Sequence, residues 1–177
     1  MIDSIRRALA LRSALRAVRA RQPAGMRPAP GMRTALVVLP EGREATEAAW
    51  AALGALGLEP DRVRPVATGA VSYVPDRYAG RILVTTPRGV LRLPPVPDRE
   101  ACWDGTPDVA INLLPAAHPA GALLVGASPA ALRVGFSDRK AEPFYDMLVG
   151  AAPGAEPGPE TVARMIETIH PSLFRAS

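Results

Sequence analysis

Two polar side chains lie in or just after a buried strand that the sequence predicts at 109–114. Asn112 lies inside this apolar run, and His118 follows it closely. Ligands bind at the carboxyl edge of an open α/β sheet, where His118 would act as an acid, a base or an anion contact. The alternative role for His118 is an exposed cap of the next helix. A buried Asn112 needs a hydrogen-bond partner, so it either ties two loops together or faces a ligand.

Charged residues follow two other predicted strands. Glu41 comes just after the apolar run 34–39, and Asp138 and Arg139 follow the run 132–136. Because the carboxyl ends of parallel strands meet at one edge, these three residues join Asn112 and His118 as a candidate ligand crevice. The alternatives are that Glu41 complements the dipole of a helix and that the other two charges are solvated surface.

Familiar catalytic and cofactor motifs do not occur in the sequence. There is no GxGxxG, no GxxxxGK[ST] and no GxSxG, and no His/Asp/Glu cluster has metal-ligand spacing. The single cysteine, Cys102, excludes a disulfide within the chain and is expected to be a partly buried apolar residue. We therefore predict no cofactor, no metal and no catalytic residues, and we favour a protein that is not an enzyme.

The N-terminal segment 1–22 predicts an arginine-rich amphipathic helix. It has no proline or glycine and is rich in Ala, Leu and Arg. Residues 1–33 hold eight arginines against Asp3, a net charge of +7, whereas the remainder has a net charge of −3. The segment is therefore expected to bind an anionic partner. The arginines assigned to this role are Arg6, Arg7, Arg12, Arg16, Arg19 and Arg21.

The faces of this helix leave several partners open. Leu11, Leu15 and Val18 share one face, beside a ridge of Arg12, Arg16 and Arg19, while Ile2, Ile5 and Leu9 form a second apolar patch. The ridge is either a solvated face of a helix packed on the body or a contact to RNA or the ribosome, to anionic lipid, or to an acidic protein. The segment has no aromatic residue, which disfavours base stacking and Trp or Phe anchoring in a membrane.

A Pro/Gly linker at 23–33 separates this helix from a single domain at 34–177. Apolar runs alternate with helical patterns there, which predicts an open, mostly parallel Rossmann-like α/β sheet of about five or six strands with flanking helices. A short edge strand at 89–93 precedes a proline turn at 94–97, and Pro171 is expected to end the last helix. The predicted strands are 34–39, 62–67, 81–85, 109–114, 132–136 and 145–149, and the predicted helices are 41–57, 118–127 and 158–170.

Part of the body resembles the N-terminal Rossmann-like half of the heptosyltransferase-type glycosyltransferases. The residues that carry this resemblance are Asp108-Val-Ala-Ile-Asn-Leu-Leu114, Ala122-Leu-Leu-Val-Gly-Ala-Ser128 and Leu132-Arg-Val-Gly-Phe136. The resemblance implies the fold. Two departures argue against intact glycosyl transfer: Leu39–Arg43 lacks the family's acidic "GD" position, and 177 residues leave no room for the second domain that holds most of the donor site.

A second resemblance covers about residues 5–170. The basic leading helix, the Ala-rich middle and the ending Val134-Gly-Phe136 with Phe144-Tyr-Asp-Met-Leu148 resemble a family of short bacterial proteins of unknown function.

The sequence as a whole predicts a non-enzymatic binding or adaptor protein. The basic helix would dock on an anionic partner, and the body would contact a protein or a small ligand. The alternative is a small glycosyltransferase-like domain or enzyme that binds a sugar or nucleotide. No apolar run reaches membrane-spanning length and arginines interrupt any signal-peptide core, so we expect a cytoplasmic protein, free or peripheral to a membrane or ribosome.

Overall fold

The computed structural model describes residues 2–20, 33–55, 60–71, 73–150 and 159–173. Within these residues six strands form one sheet in the order β3-β2-β1-β4-β5-β6, and every neighbouring pair is parallel. The predicted open, parallel, Rossmann-like α/β architecture is therefore confirmed. The strands are β1 (Ala35–Val38), β2 (Val63–Ala67), β3 (Leu83–Val84), β4 (Val109–Asn112), β5 (Leu132–Phe136) and β6 (Met147–Val149).

Helices flank both faces of the sheet. Because the chain moves in opposite directions from β1 and from β4, right-handed crossovers place α2 and α4 on opposite faces. α5 packs against α2, and α1 packs against α4. The helices are α1 (Ile2–Arg19), α2 (Arg43–Ala55), α3 (Val96–Trp103), α4 (Pro119–Gly126) and α5 (Pro159–Leu173).

The two central strands are buried along their whole length. All residues of β1 and β4 are buried, as expected for parallel strands covered by helices on both sides. Asp108 joins their starting ends, since its carboxylate accepts hydrogen bonds from the backbone N–H groups of Arg33 and Thr34 at 2.8 and 2.9 Å. Burial opposes ionisation of this carboxyl, but the bonds from Arg33 and Thr34 outweigh it and lower its pKa.

Helix α1 lies directly against α4. Ala10 and Ala14 are buried in this contact, and Leu11, Leu15 and Val18 pack half-buried against the core. The small side chains of these alanines let α1 approach α4 closely. The facing helix α4 also consists of small and apolar residues, and it is buried from Ala120 to Gly126. The predicted N-terminal helix is thus present and is part of the packed structure. Arg21 and the predicted linker, apart from Arg33, lie outside the described residues.

Three predicted elements differ from the structure. The segment 89–93 is no sheet strand but the turn of a small hairpin closed by an antiparallel bridge between Arg88 and Leu93. The prediction of a proline turn at 94–97 is wrong for its second half, because α3 begins at Val96. Pro97 lies in its first turn, where a missing N–H leaves no bond unmade. Helix α5 continues through Pro171 and ends two residues later at Leu173, so the proline lies in the last turn of the helix and does not end it.

Candidate functional site

The sheet order reverses between β1 and β4. One half of the sheet extends from β1 through β2 to β3, and the other from β4 through β5 to β6. Ligands of open α/β sheets bind outside the carboxyl ends of the strands at such a point. Here the structure has an open crevice of about 410 Å³, which we call the switch-point crevice. The ionisable side chains in its lining are Asp3, Arg6, Arg7, Glu41, Arg92 and His118.

His118 lies at the N-terminus of α4 and caps it. Its backbone is extended, and its Nδ1 accepts a hydrogen bond from the N–H of Gly121 at 3.4 Å. Burial lowers the pKa of His118, the nearby Arg7 lowers it further, and Glu41 opposes the change. The ring is therefore neutral at pH 7. With Nδ1 as acceptor the proton is on Nε2, which faces the crevice as a donor.

Glu41 is positioned by the loop between β1 and α2. The turn passes through Gly42, whose φ of +87° favours glycine, and α2 begins at the next residue. The Oε1 atom of Glu41 is 3.8 Å from Nε2 of His118. Since the carboxylate is largely exposed, the pair is a weak interaction between two groups that share one wall of the crevice.

Helix α1 also contributes to the lining of the crevice. Arg6 and Arg7 both line it, and Nε of Arg7 donates to the carbonyl oxygen of Ala117 at 3.3 Å. Arg6 is paired with Asp3 at 3.2 Å, one turn away on the same helix. Two of the arginines that the sequence assigns to an external anionic partner therefore lie at the crevice.

Arg92 reaches the crevice from the hairpin between Arg88 and Leu93. Its φ is +49°, in the left-handed region that non-glycine residues seldom adopt. The sequence analysis did not identify Arg92 as a site residue. The short segment Arg88-Gly-Val-Leu-Arg-Leu93 has the composition of a turn, but nothing local shows that it reaches the crevice.

Asn112 lies behind the crevice and is fully buried. Its Nδ2 donates to the hydroxyl of Tyr145 at 2.7 Å, and its Oδ1 accepts from the N–H of Leu114 at 3.2 Å. The Tyr145 hydroxyl in turn donates to the carbonyl oxygen of Ala116 at 3.3 Å. Of the two roles predicted for Asn112, the structure shows the tie between loops.

Asp138 and Arg139 lie in the exposed turn after β5. The Asp138 carboxylate accepts a hydrogen bond from the backbone N–H of Lys140 at 2.7 Å, which stabilises the turn. Neither residue belongs to the lining of the switch-point crevice. Of the five predicted crevice residues, the fold therefore brings Glu41 and His118 together there.

A smaller crevice of about 160 Å³ lies between the ends of β1 and β2. This is where a Rossmann fold holds the phosphates of a dinucleotide, at the N-terminus of the first crossover helix. Its lining has one ionisable side chain, Glu41, whose charge repels a phosphate. Thr46 hydrogen-bonds the carbonyl oxygens of Pro40 and Gly42, which uses the hydroxyl within the loop.

The outer face of α1 carries a continuous stripe of exposed side chains. Its first half is apolar, with Ile2, Ile5 and Leu9 exposed by 73%, 56% and 47%. Its second half is basic, because the residues that continue the same three- and four-residue spacing are all arginines. The stripe thus consists of Ile2, Ile5, Leu9, Arg12, Arg16 and Arg19, and we call it the α1 outer face.

Other reactive groups give no further site in the described part of the chain. Cys102 is buried, and burial together with Asp98 raises the pKa of its thiol to about 11, so the thiol is unreactive. Among the described residues no three His, Cys, Asp or Glu side chains are grouped to hold a metal ion. No helix within the described ranges combines the length and hydropathy required to cross a bilayer.

The two resemblances identified in the sequence stay predictions. Comparison of the chain with protein-family models, with curated proteins and with solved structures finds no match. Functional proposals for this protein therefore rest on its two surfaces, the switch-point crevice and the α1 outer face.

Proposed function

We propose that this protein is a non-enzymatic binding protein that docks on an anionic membrane surface through the α1 outer face. The observation that carries the proposal is the single stripe in which exposed Ile2, Ile5 and Leu9 continue into exposed Arg12 and Arg16. A lipid headgroup layer is both anionic and apolar within the depth of one helix. The stripe offers both kinds of contact on one face, with apolar side chains at its start and arginines at its end.

The arginines of the stripe are free to interact with a partner. Within the described ranges none of Arg12, Arg16 and Arg19 forms an ion pair. Arg16 and Arg19 lie in the last turn of α1, where their charge also complements the helix dipole. That role does not apply to Arg12, seven residues from the helix end. An anionic surface contributes about 1 kcal/mol for each arginine that approaches it.

The apolar half of the stripe favours lipid over the other anionic partners. Large exposed aliphatic side chains at the start of α1 do not contribute to phosphate contacts on RNA. In a headgroup layer their burial stabilises binding by about 25 cal/mol for each Å² removed from water. The inner face of α1 is held on α4, so the helix lies along the protein surface with its stripe outward. This is the orientation of an interfacial helix.

Vesicle binding tests the proposal. The full chain is expected to sediment with vesicles that contain phosphatidylglycerol and not with phosphatidylcholine alone. Replacing Arg12, Arg16 and Arg19 by Gln weakens binding roughly a hundredfold, from about 1 kcal/mol per arginine. The matched control replaces Arg62, Arg81 and Arg139, which are exposed on the body, and should leave most of the affinity intact.

A second variant distinguishes a lipid partner from a nucleic-acid partner. Ile5→Ser with Leu9→Ser weakens vesicle binding if the apolar half is buried in the headgroup layer. RNA binding that depends on the arginines but not on Ile5 and Leu9 would identify RNA as the partner and overturn the membrane proposal. Equal behaviour of the triple-Gln variant and the parent toward every vesicle would show that the stripe is a solvated face.

A further inference from the structure

The switch-point crevice has a cationic wall whose charge is only partly neutralised. Arg6 and Arg7 approach from α1 and Arg92 from the hairpin, although the two segments are far apart in sequence. Asp3 pairs with Arg6 through a carboxylate that is 94% exposed. In the described part of the chain no carboxylate pairs with Arg7 or Arg92. Guanidinium groups from two directions are suited to a phosphate, which accepts several hydrogen bonds at once.

The backbone at Arg92 is left-handed within the turn of the hairpin, where its N–H donates to the carbonyl oxygen of Gly89 at 3.2 Å. Gly89, in the same hairpin, also has a positive φ, of +72°, as glycine readily does. Arg92 adopts +49° although glycine fits that conformation better. Strained non-glycine residues are enriched at active sites and ligand clamps, and Arg92 lines the crevice.

Glu41 and His118 present hydrogen-bonding groups of a different kind in the same crevice. Glu41 offers a carboxylate acceptor, and Nε2 of the neutral His118 ring, 3.8 Å away, offers a donor. A carboxylate beside a neutral donor is suited to hydroxyl groups and repels a second phosphate. The crevice thus combines cationic groups suited to an anion with groups suited to hydroxyls, within a volume typical of small-molecule sites.

We infer that the switch-point crevice binds a small phosphorylated sugar or polyol, with the phosphate against Arg7 and Arg92 and hydroxyl groups against Glu41 and His118. This site is separate from the proposed membrane contact. It uses the inner side of α1, whereas the membrane contact uses the α1 outer face.

Calorimetric titration of the full chain with three probes tests the assignment. Glucose 6-phosphate is expected to bind roughly tenfold tighter than inorganic phosphate, because it also meets Glu41 and His118. Glucose alone should bind weaker than either probe. Equal affinities for glucose 6-phosphate and inorganic phosphate would overturn the hydroxyl-binding side of the site, and absence of binding by both would overturn the site.

Two variants test the cationic wall. Arg92→Gly removes the guanidinium and relaxes a strained backbone, so the fold is retained while both phosphate probes bind roughly tenfold weaker. Arg7→Gln is expected to act in the same direction. Arg88→Gln is the matched control, since it removes the same charge from an exposed residue of the same hairpin and should leave affinity unchanged. Equal losses in all three variants would show a general charge effect and overturn the site.

Glu41→Gln tests the hydroxyl side. It should remove the advantage of glucose 6-phosphate while inorganic phosphate binds at least as well, because a repulsive charge has gone. Glu44→Gln, on the exposed first turn of α2, is the control. The Arg12, Arg16 and Arg19 triple variant should keep the affinity for glucose 6-phosphate, so failure of this site and failure of the membrane proposal are distinguishable.

Discussion

His118 caps α4 through Nδ1, and this ties its protonation to stability. Nδ1 accepts from the N–H of Gly121 and so caps α4, which only the neutral ring can do. Burial, supported by Arg7, lowers its pKa below the 6.5 of a free histidine. As pH falls through 6.5, the unfolded chain takes up the proton before the folded chain does. The stability that comes from neutral His118 is present above pH 6.5 and is lost as pH falls toward its folded value.

We expect His118→Asn to reduce the pH dependence of stability. Asparagine caps a helix without titrating. The free energy of unfolding of the parent should therefore fall more between pH 7.5 and 5.5 than that of the variant, measured by urea denaturation at each pH. Every other titrating group is common to the two proteins and serves as the internal control. Parallel pH curves would contradict a buried neutral His118.

At the scale of elements, the loop after β4 is held by a buried hydrogen-bond chain. Asn112 at the end of β4 donates to the Tyr145 hydroxyl, which donates to the carbonyl oxygen of Ala116. Burial raises the pKa of Tyr145, so the phenol stays protonated and remains a donor. Gly121 packs against the Asn112 side chain so closely that a Cβ atom would clash with it. The series of hydrogen bonds and the close Gly121 contact therefore set the position of the α4 N-terminus, which borders the crevice.

Tyr145→Phe is expected to destabilise the protein by about 1–3 kcal/mol, because it leaves buried polar atoms of Asn112 and Ala116 without this partner. Urea denaturation measures the loss. Tyr73→Phe is the control, since Tyr73 is 42% exposed and should change stability little. A Tyr145→Phe variant as stable as the parent would mean that the hydrogen-bond chain does not hold the loop.

At the scale of the whole molecule, α1 is both part of the core and a charged surface. Its inner face is closed by Ala10 and Ala14, whereas its outer face carries exposed apolar and basic residues. The sequence predicts a helix separated from the domain by a linker. The packing on α4 implies instead that the helix and the body unfold together, because separation would expose the apolar surface of α4.

Ala14→Leu tests this coupling. A larger side chain at this fully buried position forces α1 away from α4 and is expected to cost about 1–3 kcal/mol in the unfolding free energy of the whole chain. Ala8→Leu, on the exposed side of the same helix, is the matched control and should be nearly neutral. If both variants unfold like the parent, α1 contributes little to the stability of the body.

The sequence by itself determined the elements that depend on local pattern. Continuous apolar runs at 34–39 and 109–114 identified the two central strands, because parallel strands covered on both faces carry no polar alternation. The spacing of Arg12, Arg16 and Arg19 likewise predicts that they share one face of the helix. The spacing of apolar and charged residues depends only on neighbours along the chain, so the sequence alone is enough to predict strands and helix faces.

Tertiary structure alone decided which distant residues meet. The docking of α1 on α4 places Arg6 and Arg7 at the crevice and leaves Arg12, Arg16 and Arg19 on the exposed side of the helix. The same long-range packing brought Arg92 to the crevice and left Asn112 buried outside its lining. These positions depend on burial between segments far apart in sequence, and no local pattern encodes which surfaces become partners.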